Sequence, residues 1–390
     1  FFFARIMSCC GPKVEQETTC CAPKVEQSCC ASQPEVSKSD TLELVKDYYG
    51  KVLNTTKDLK TSACCAADRP PRYIMDALKK VPQEIQDKFY GCGSPIPAEL
   101  TGLTVLDLGC GAGRDCYIAA SLVGPTGKVI GVDMTDEQLD VAKKHAAEFC
   151  TKTLAYPSSV FDFKKGYIEA VQDTGIPQNS VDLIMSNCVI NLSPDKEAVI
   201  NGAAAVLKQG GEMYFSDVYA DRRLPEDVRK HEVLWGECIS GALYTEDFKR
   251  LARKAGFTDP RVLTQTEIQI HDPELQQVVG EARFYSILYR CFKIDDLEDG
   301  PEDYGQVATY NGGIPGSFHG YTLDASHHFS KGKPMLVSGN TAATLQCSRL
   351  ARYFTVQGDR TVHFGRFDEG RSSAPPAPSS APSSAPPACC

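Results

Sequence analysis

The run Val105-Leu-Asp-Leu-Gly-Cys-Gly-Ala-Gly-Arg-Asp115 constrains the fold of this chain more than any other stretch. Its apolar front, from Thr104 to Leu108, predicts a short buried strand. Gly109, Gly111 and Gly113 then predict a tight turn, and a helical run follows from Asp115 to Leu122. Strand, glycine turn and helix start make a βα unit that can hold a ligand against free backbone N–H groups. The glycine spacing is G-x-G-x-G, not the dinucleotide pattern G-x-G-x-x-G. One acid, Asp107, precedes the first glycine by two residues. A second strand, Lys128 to Asp133, ends in another acid, and a carboxylate there can accept two hydroxyl hydrogen bonds. A plain Rossmann-like nucleotide site is one reading of these residues.

The alternation continues. Strands are predicted over 104–108, 128–133, 159–167, 181–187 and 211–218, with helices over 116–122, 136–150 and 196–207. Repeated βα units give an α/β fold, a parallel-dominated sheet with helices on both faces. Ligands bind outside the C-terminal strand ends of such sheets. Asp107, Asp133, Ile168, Glu169 and Asn187 fall at those ends. Thr135 with Gln138 predicts a capping box, and Gly210-Gly211 a helix stop before the fifth strand. Helices are also predicted over 41–52, 72–80 and 82–90. Residues 231–244 read as a separate element, 246–255 as a helix stopped by Gly256, and 281–292 as a strand or a helix. An acidic linker over 295–301 leads to 304–368, a small mixed accessory domain.

The net charge of −9 gives no basic footprint for nucleic acid, and no apolar run is long enough for a membrane span. The apolar start through Met7, the expected natural initiator, is too short for a signal segment. Residues 8–39 repeat Pro-Lys-Val-Glu-Gln and carry the pairs Cys9-Cys10, Cys20-Cys21 and Cys29-Cys30, with too few large apolar residues for a core. A Pro/Ser/Ala tail ends in Cys389-Cys390. With no secretion signal, the 18 cysteines read as thiols in a reducing, cytoplasmic setting. Cys110, Cys116, Cys150, Cys291 and Cys347 read as small buried hydrophobes. His327 and His328 read as solvated or turn residues, and no zinc-ligand spacing is present, so no structural metal is predicted. Cys188 directly follows the fourth strand, which puts it at the ligand crevice. Cys92, between two glycines, lies where a bulky ligand can approach closely.

The glycine turn with Asp107 and Asp133 resembles motif I and the following acid of class I S-adenosylmethionine-dependent methyltransferases. The resemblance narrows with Asp47-Tyr-Tyr-Gly50, Asp58-Leu-Lys-Thr61, Tyr90-Gly-Cys-Gly93, Asp107-Leu-Gly-Cys-Gly-Ala-Gly-Arg-Asp-Cys116, Asn187-Cys-Val-Ile-Asn-Leu192, Tyr214-Phe-Ser-Asp-Val-Tyr219 and Trp235-Gly-Glu-Cys238. Together these resemble the arsenite S-adenosylmethionine methyltransferases over roughly residues 41–360, with Asn311-Gly-Gly-Ile314 resembling the start of that family's C-terminal region. The resemblance implies a donor site from Tyr90, Asp107, Gly109, Gly111, Gly113, Asp133, Met134, Ile168, Glu169 and Asn187. It implies arsenic(III) held by Cys92, Cys188 and Cys238, with Cys64, or its neighbour Cys65, joining during turnover.

The implied substrate is arsenite or its glutathione conjugate, and thioredoxin or glutathione is the implied reductant of a disulfide formed in each cycle. A monomer is expected. The implied organisation is a disordered tail over 1–40, a donor-binding domain over 41–222, an arsenic-binding region over 223–296, an accessory domain over 297–370 and a second tail over 371–390. Two alternatives remain at the level of sequence. One is methylation of another soft or carbon nucleophile; the other is metalloid sequestration by the paired cysteines of the tails.

Overall fold

The computed structural model describes residues 70–89, 91, 94–236 and 238–368. The expected helix over 41–52, both cysteine-paired tails, Cys64, Cys65, Tyr90 and Cys92 lie outside the described residues.

Two short helices, α1 (Arg72–Leu78) and α2 (Gln83–Asp87), lead into the alternating body. There follow β1 (Thr104–Leu108), α3 (Arg114–Val123), β2 (Lys128–Asp133), α4 (Asp136–Lys144), β3 (Phe161–Lys165), β4 (Val181–Asn187), α5 (Lys196–Val206) and β5 (Leu207–Ala220). Then come α6 (Glu232–Gly236), β6 (Leu243–Tyr244), α7 (Thr245–Lys254), β7 (Arg261–Ile268), α8 (Pro273–Val279) and β8 (Phe284–Phe292). The strands form one sheet in the order β3-β2-β1-β4-β5-β8-β7, with β6 beside the end of β5. β1 to β5 are mutually parallel, and β8 runs antiparallel to both β5 and β7.

Successive residues of each strand serve opposite cores, as the period of two requires. Leu106, Ile130 and Ile184 pack with Val199 and Ala203 of α5 and Phe248 of α7. Val105, Val129 and Leu183 pack with Ile74, Ile85, Ile118 and Leu139 on the other face.

Several sequence expectations change in place. The ambiguous 281–292 segment is a strand, because both its edges are paired. β6, β7 and β8 extend the main sheet across position 222, covering the otherwise open edge of β5. β3 is confined to Phe161–Lys165, and the helix predicted to reach Cys150 breaks only at His145, resuming as an α-helical turn over Ala146–Glu148 and a π-helical turn over Phe149–Thr153. Thr135 stands at the N-cap of α4 but its side chain caps nothing there; its hydroxyl bonds Asp133 instead. Gly210-Gly211 does not separate helix from strand, since β5 already begins at Leu207. Gly210 has φ +76°, and a Cβ there would lie 2.2 Å from the carbonyl oxygen of Cys347, so the glycine admits a crossing backbone.

The C-terminal part carries a sheet of β12-β9-β13 and a hairpin of β10 and β11. Their strands are β9 (Val307–Tyr310), β10 (Gly320–Thr322), β11 (His328–Ser330), β12 (Pro334–Leu336) and β13 (Phe354–Gln357), with α9 (Gly339–Cys347) packed on them. Its core joins Tyr310, Leu323, Phe329 and Leu345 to Phe292 and Ile294 from the end of β8. Polar contacts fasten it further. Arg261 of β7 bonds Asp324 at 2.7 Å, and Asp324 also receives His327 at 2.7 Å. His327 is therefore buried rather than solvated, while its neighbour His328 is exposed. Cys347, expected to be buried, is exposed. Among the described residues no helix is long and apolar enough to cross a membrane.

Glu212 of β5 is wholly buried and accepts from Arg290 of β8 at 2.6 Å and from Arg349 at 3.0 Å. Burial pushes its carboxyl up, but the two guanidiniums outweigh this and hold it below the usual range. Arg290 continues to the Tyr321 hydroxyl at 2.8 Å and the Leu323 carbonyl at 3.0 Å; Arg349 continues to the Ala98 carbonyl at 2.9 Å. Glu212→Gln strands two buried cations, so a loss of about 3–5 kcal/mol is expected in urea unfolding of the full chain. Lys152→Ala, at an exposed helical pair with Glu148, is expected to cost under about 0.5 kcal/mol.

Candidate active site

The crevice lies where β1, β2 and β4 end. It opens about 1170 Å³ of space, and Asp107, Gly109, Gly111, Asp133, Met134, Ile168, Glu169, Asn187, Cys188 and Cys238 all reach its wall.

The glycine turn forms its floor. Gly109, Gly111 and Gly113 all have positive φ, at +69°, +52° and +90°. The N–H groups of Gly109 and Cys110 donate to the Val132 carbonyl at 2.8 and 3.0 Å, and that of Gly111 to Asp133 Oδ2 at 2.8 Å. The turn is thus stitched to the end of β2, and Asp133 is fixed as it enters the crevice. A Cβ on Gly109 would lie 2.3 Å from Val189, whereas one on Gly111 meets nothing nearer than 4.0 Å. Gly113 differs from the expectation: it caps α3 and does not line the crevice. A Cβ there would press on Ala142 at 3.2 Å and Phe163 at 3.4 Å, so its requirement is close packing of helix against sheet.

The crevice is acidic. Asp107 is buried and receives the Cys116 thiol at 3.3 Å. Burial, then the nearby Asp115 carboxylate, push its carboxyl well above the usual range. Burial also raises Asp133, against the opposing pull of the Thr135 and Gly111 N–H groups. Asp115 was not singled out in the sequence, where it merely opens a helix. It is bound by Arg114 at 2.9 Å on one oxygen and by the Asn187 side-chain amide at 3.2 Å on the other. Arg114 stacks 3.1 Å from the centre of the Phe89 ring and reaches Ser94 Oγ. Its place directly after the glycine turn was the signal available. Desolvated carboxylates around one cavity favour a positively charged ligand, since a cation there relieves the burial cost. The sulfonium and ammonium groups of S-adenosylmethionine fit this wall, and the open side of Gly111 leaves room for backbone contact.

Two cysteines line the same crevice. Cys188 follows β4 with φ +56°, and its N–H donates to the Ser216 carbonyl at 2.8 Å. Cys238 has φ +62° and closes a turn on the Trp235 carbonyl at 3.0 Å. Both are non-glycine residues held in the left-handed region, a conformation that costs roughly 1–2 kcal/mol and persists where its surroundings enforce it. The Cys238 thiol donates to the Cys188 carbonyl at 3.2 Å. Cys188 is disulfide-bonded, whereas Cys110, Cys116, Cys150, Cys238, Cys291 and Cys347 are thiols outside any disulfide. Of those, Cys110, Cys116, Cys150 and Cys291 are buried as expected. Glu169 receives the Ser193 hydroxyl, and both line the crevice with Leu192.

Known proteins carry the same combination of elements. A model of the methyltransferase domain matches residues 100–256, and one of the arsenite methyltransferase C-terminal domain matches residues 304–372. The arsenite methyltransferase of Aquipseudomonas alcaligenes is 50% identical over 326 residues, 84% of this chain and 93% of that protein. The human arsenite methyltransferase is 45% identical over 80% of this chain and 83% of its own length. The crystal structure of an arsenic (III) S-adenosylmethionine methyltransferase from Chlamydomonas reinhardtii superposes with a TM-score of 0.75 at 58% identity, covering 77% of this chain and 100% of that one. With one crevice lined by buried acids and two cysteines, and relatives matched over most of its length, this chain belongs to the arsenite methyltransferase family.

Proposed function

We propose that this protein moves the methyl group of S-adenosylmethionine onto trivalent arsenic held by cysteine thiolates, giving methylarsenite and then dimethylarsenite. The observation that carries this reading is the shared crevice, lined by Asp107, Asp133 and the glycine turn together with Cys188 and Cys238.

The bound donor supplies an electrophilic methyl on a cationic sulfur. Asp133 accepts the ribose hydroxyls, and Asp107 with Asp115 offsets the donor's positive charge. Ile168, Met134 and Glu169 enclose its base end. Cys188 and Cys238 hold arsenic, a soft ion that favours thiolate ligands; Cys92 is the third ligand and Cys64 the thiol that joins during turnover. Thiolates on one side of arsenic leave its lone pair directed at the methyl. Holding the two reacting atoms in line at about 3–3.5 Å supplies much of the rate by positioning alone. A lone pair carries no proton, so no general base is required.

The new As–C bond uses that lone pair, the S–CH₃ bond breaks towards sulfur, and arsenic rises formally to the pentavalent state. Two thiolates return two electrons to it by joining as a disulfide. An external thiol, glutathione or thioredoxin, then reduces that disulfide by exchange. The oxidised state of Cys188 is compatible with such a cycle. The cycle suits the reducing cytoplasm, and one chain carries both walls of the crevice, so a monomer suffices.

The test is incubation with arsenite, S-adenosylmethionine and excess glutathione, with arsenic species separated by chromatography and detected by mass. Donor-dependent methylarsenicals are expected; arsenic that binds tightly but emerges unmethylated would instead identify a sequestering protein. Cys188→Ser and Cys238→Ser should each lower turnover by roughly 100-fold while donor affinity is retained, because they misplace only the nucleophile. In Gly109→Ala the new methyl meets Val189, and equilibrium dialysis should show donor affinity reduced by about tenfold or more.

A further inference from the structure

Lys196 opens α5, whose N-cap Asp195 accepts from the Ala198 N–H at 3.0 Å. The side chain does not point to solvent as a first-turn lysine usually does. Its ammonium folds back and donates to the Asn191 carbonyl at 3.0 Å and the Ser193 carbonyl at 2.8 Å. It also stands 5.7 Å from the centre of the Trp235 ring, within cation–π range. Asp217, Cys238 and Glu169 are the negatively polarised groups that face it, with Arg229 opposing. Burial pushes its pKa down to about 8.

Those partners belong to the two segments that carry the site cysteines. Asn191 and Ser193 end the turn that begins at Cys188. Trp235 begins the turn that Cys238 closes. The segments meet at two other points: the Cys238 thiol on the Cys188 carbonyl, and Gly241 against Asn191, where a Cβ would lie 2.1 Å from the Asn191 carbonyl oxygen. The Asn191 segment is held from behind as well, because its N–H and side-chain amide donate to Asp217 and to the Val218 carbonyl of β5. Lys196 therefore closes a clasp over a junction whose two cysteines sit in an unfavourable backbone region.

We propose that Lys196 is a positioning residue for arsenic, its ammonium tying the Asn191–Ser193 carbonyls to the Trp235 face so that Cys188 and Cys238 stay at ligand spacing. This rests on the arsenic-site reading above. Lys196 does not itself line the crevice; its hydrogen bonds go to the Asn191 and Ser193 carbonyls of the segment that carries Cys188.

Trp235 is the sole tryptophan of the chain, so its fluorescence reports on this junction directly. The full chain, reduced with a dithiol, is titrated with arsenite without donor, and separately with donor without arsenite. In Lys196→Met the arsenite affinity should fall by about tenfold, the scale of losing charge-assisted hydrogen bonds, while donor affinity stays within about twofold. Lys196→Arg keeps the charge and its stacking and should recover most of the loss. Lys196→Gln, shorter in reach and neutral, serves in place of the methionine variant if that does not fold. Unchanged arsenite affinity in the neutral variants, a parallel fall in donor affinity, or no recovery with arginine would each overturn the proposal. If the wild-type chain itself binds no arsenite, the arsenic-site reading fails first, and that result is visible in the same titration.

Discussion

A buried carboxylate with two guanidiniums holds the distant parts of this molecule together. Glu212 sits on the middle of the sheet, Arg290 on the neighbouring antiparallel strand and Arg349 in the C-terminal part. A charge buried this deeply is tolerated only when its partners are also present and in good geometry. The three groups therefore impose a condition: β8 must pair with β5, and the C-terminal part must dock, or ions are left uncompensated. The remaining donors of both arginines extend the condition to Tyr321, Leu323 and Ala98. Gly210 meets the same requirement sterically, by letting the Cys347 backbone pass.

With the sheet so fixed, its C-terminal edge becomes a reliable platform for chemistry. The glycine turn is bonded to Val132 and Asp133, and Asp115 is bonded to Asn187, so the ends of β1, β2 and β4 cannot shift independently. One crevice gathers the desolvated carboxylates of Asp107 and Asp133 and two cysteines held in constrained turns. On the reading proposed above, a cationic donor and a soft, neutral nucleophile would meet there.

The sequence was most legible where chemistry and local geometry coincide. Asp107, Asp133 and Asn187 lie at strand ends, as expected, because the apolar patterning of those strands is plain. Gly113 illustrates a limit of spacing, which does not say that this glycine packs against Ala142 and Phe163. His327 and Cys347 exchanged their expected environments because burial of a single polar or thiol side chain depends on what packs over it. Asp115 and Lys196 look like ordinary first-turn helix residues, and only their long-range partners reveal them.

The sequence by itself determined the βα alternation, the glycine turn, the acids at the strand ends and the cysteines worth watching. These follow from period, turn chemistry and motif, all of which act over a few residues. Tertiary structure decided that Cys238 meets Cys188 across 50 residues of chain, that Asn187 holds Asp115, and that β7 and β8 complete the main sheet. Such pairings are not encoded by neighbours in sequence. They are selected by the free energy of burying two apolar faces and satisfying every polar group trapped between them.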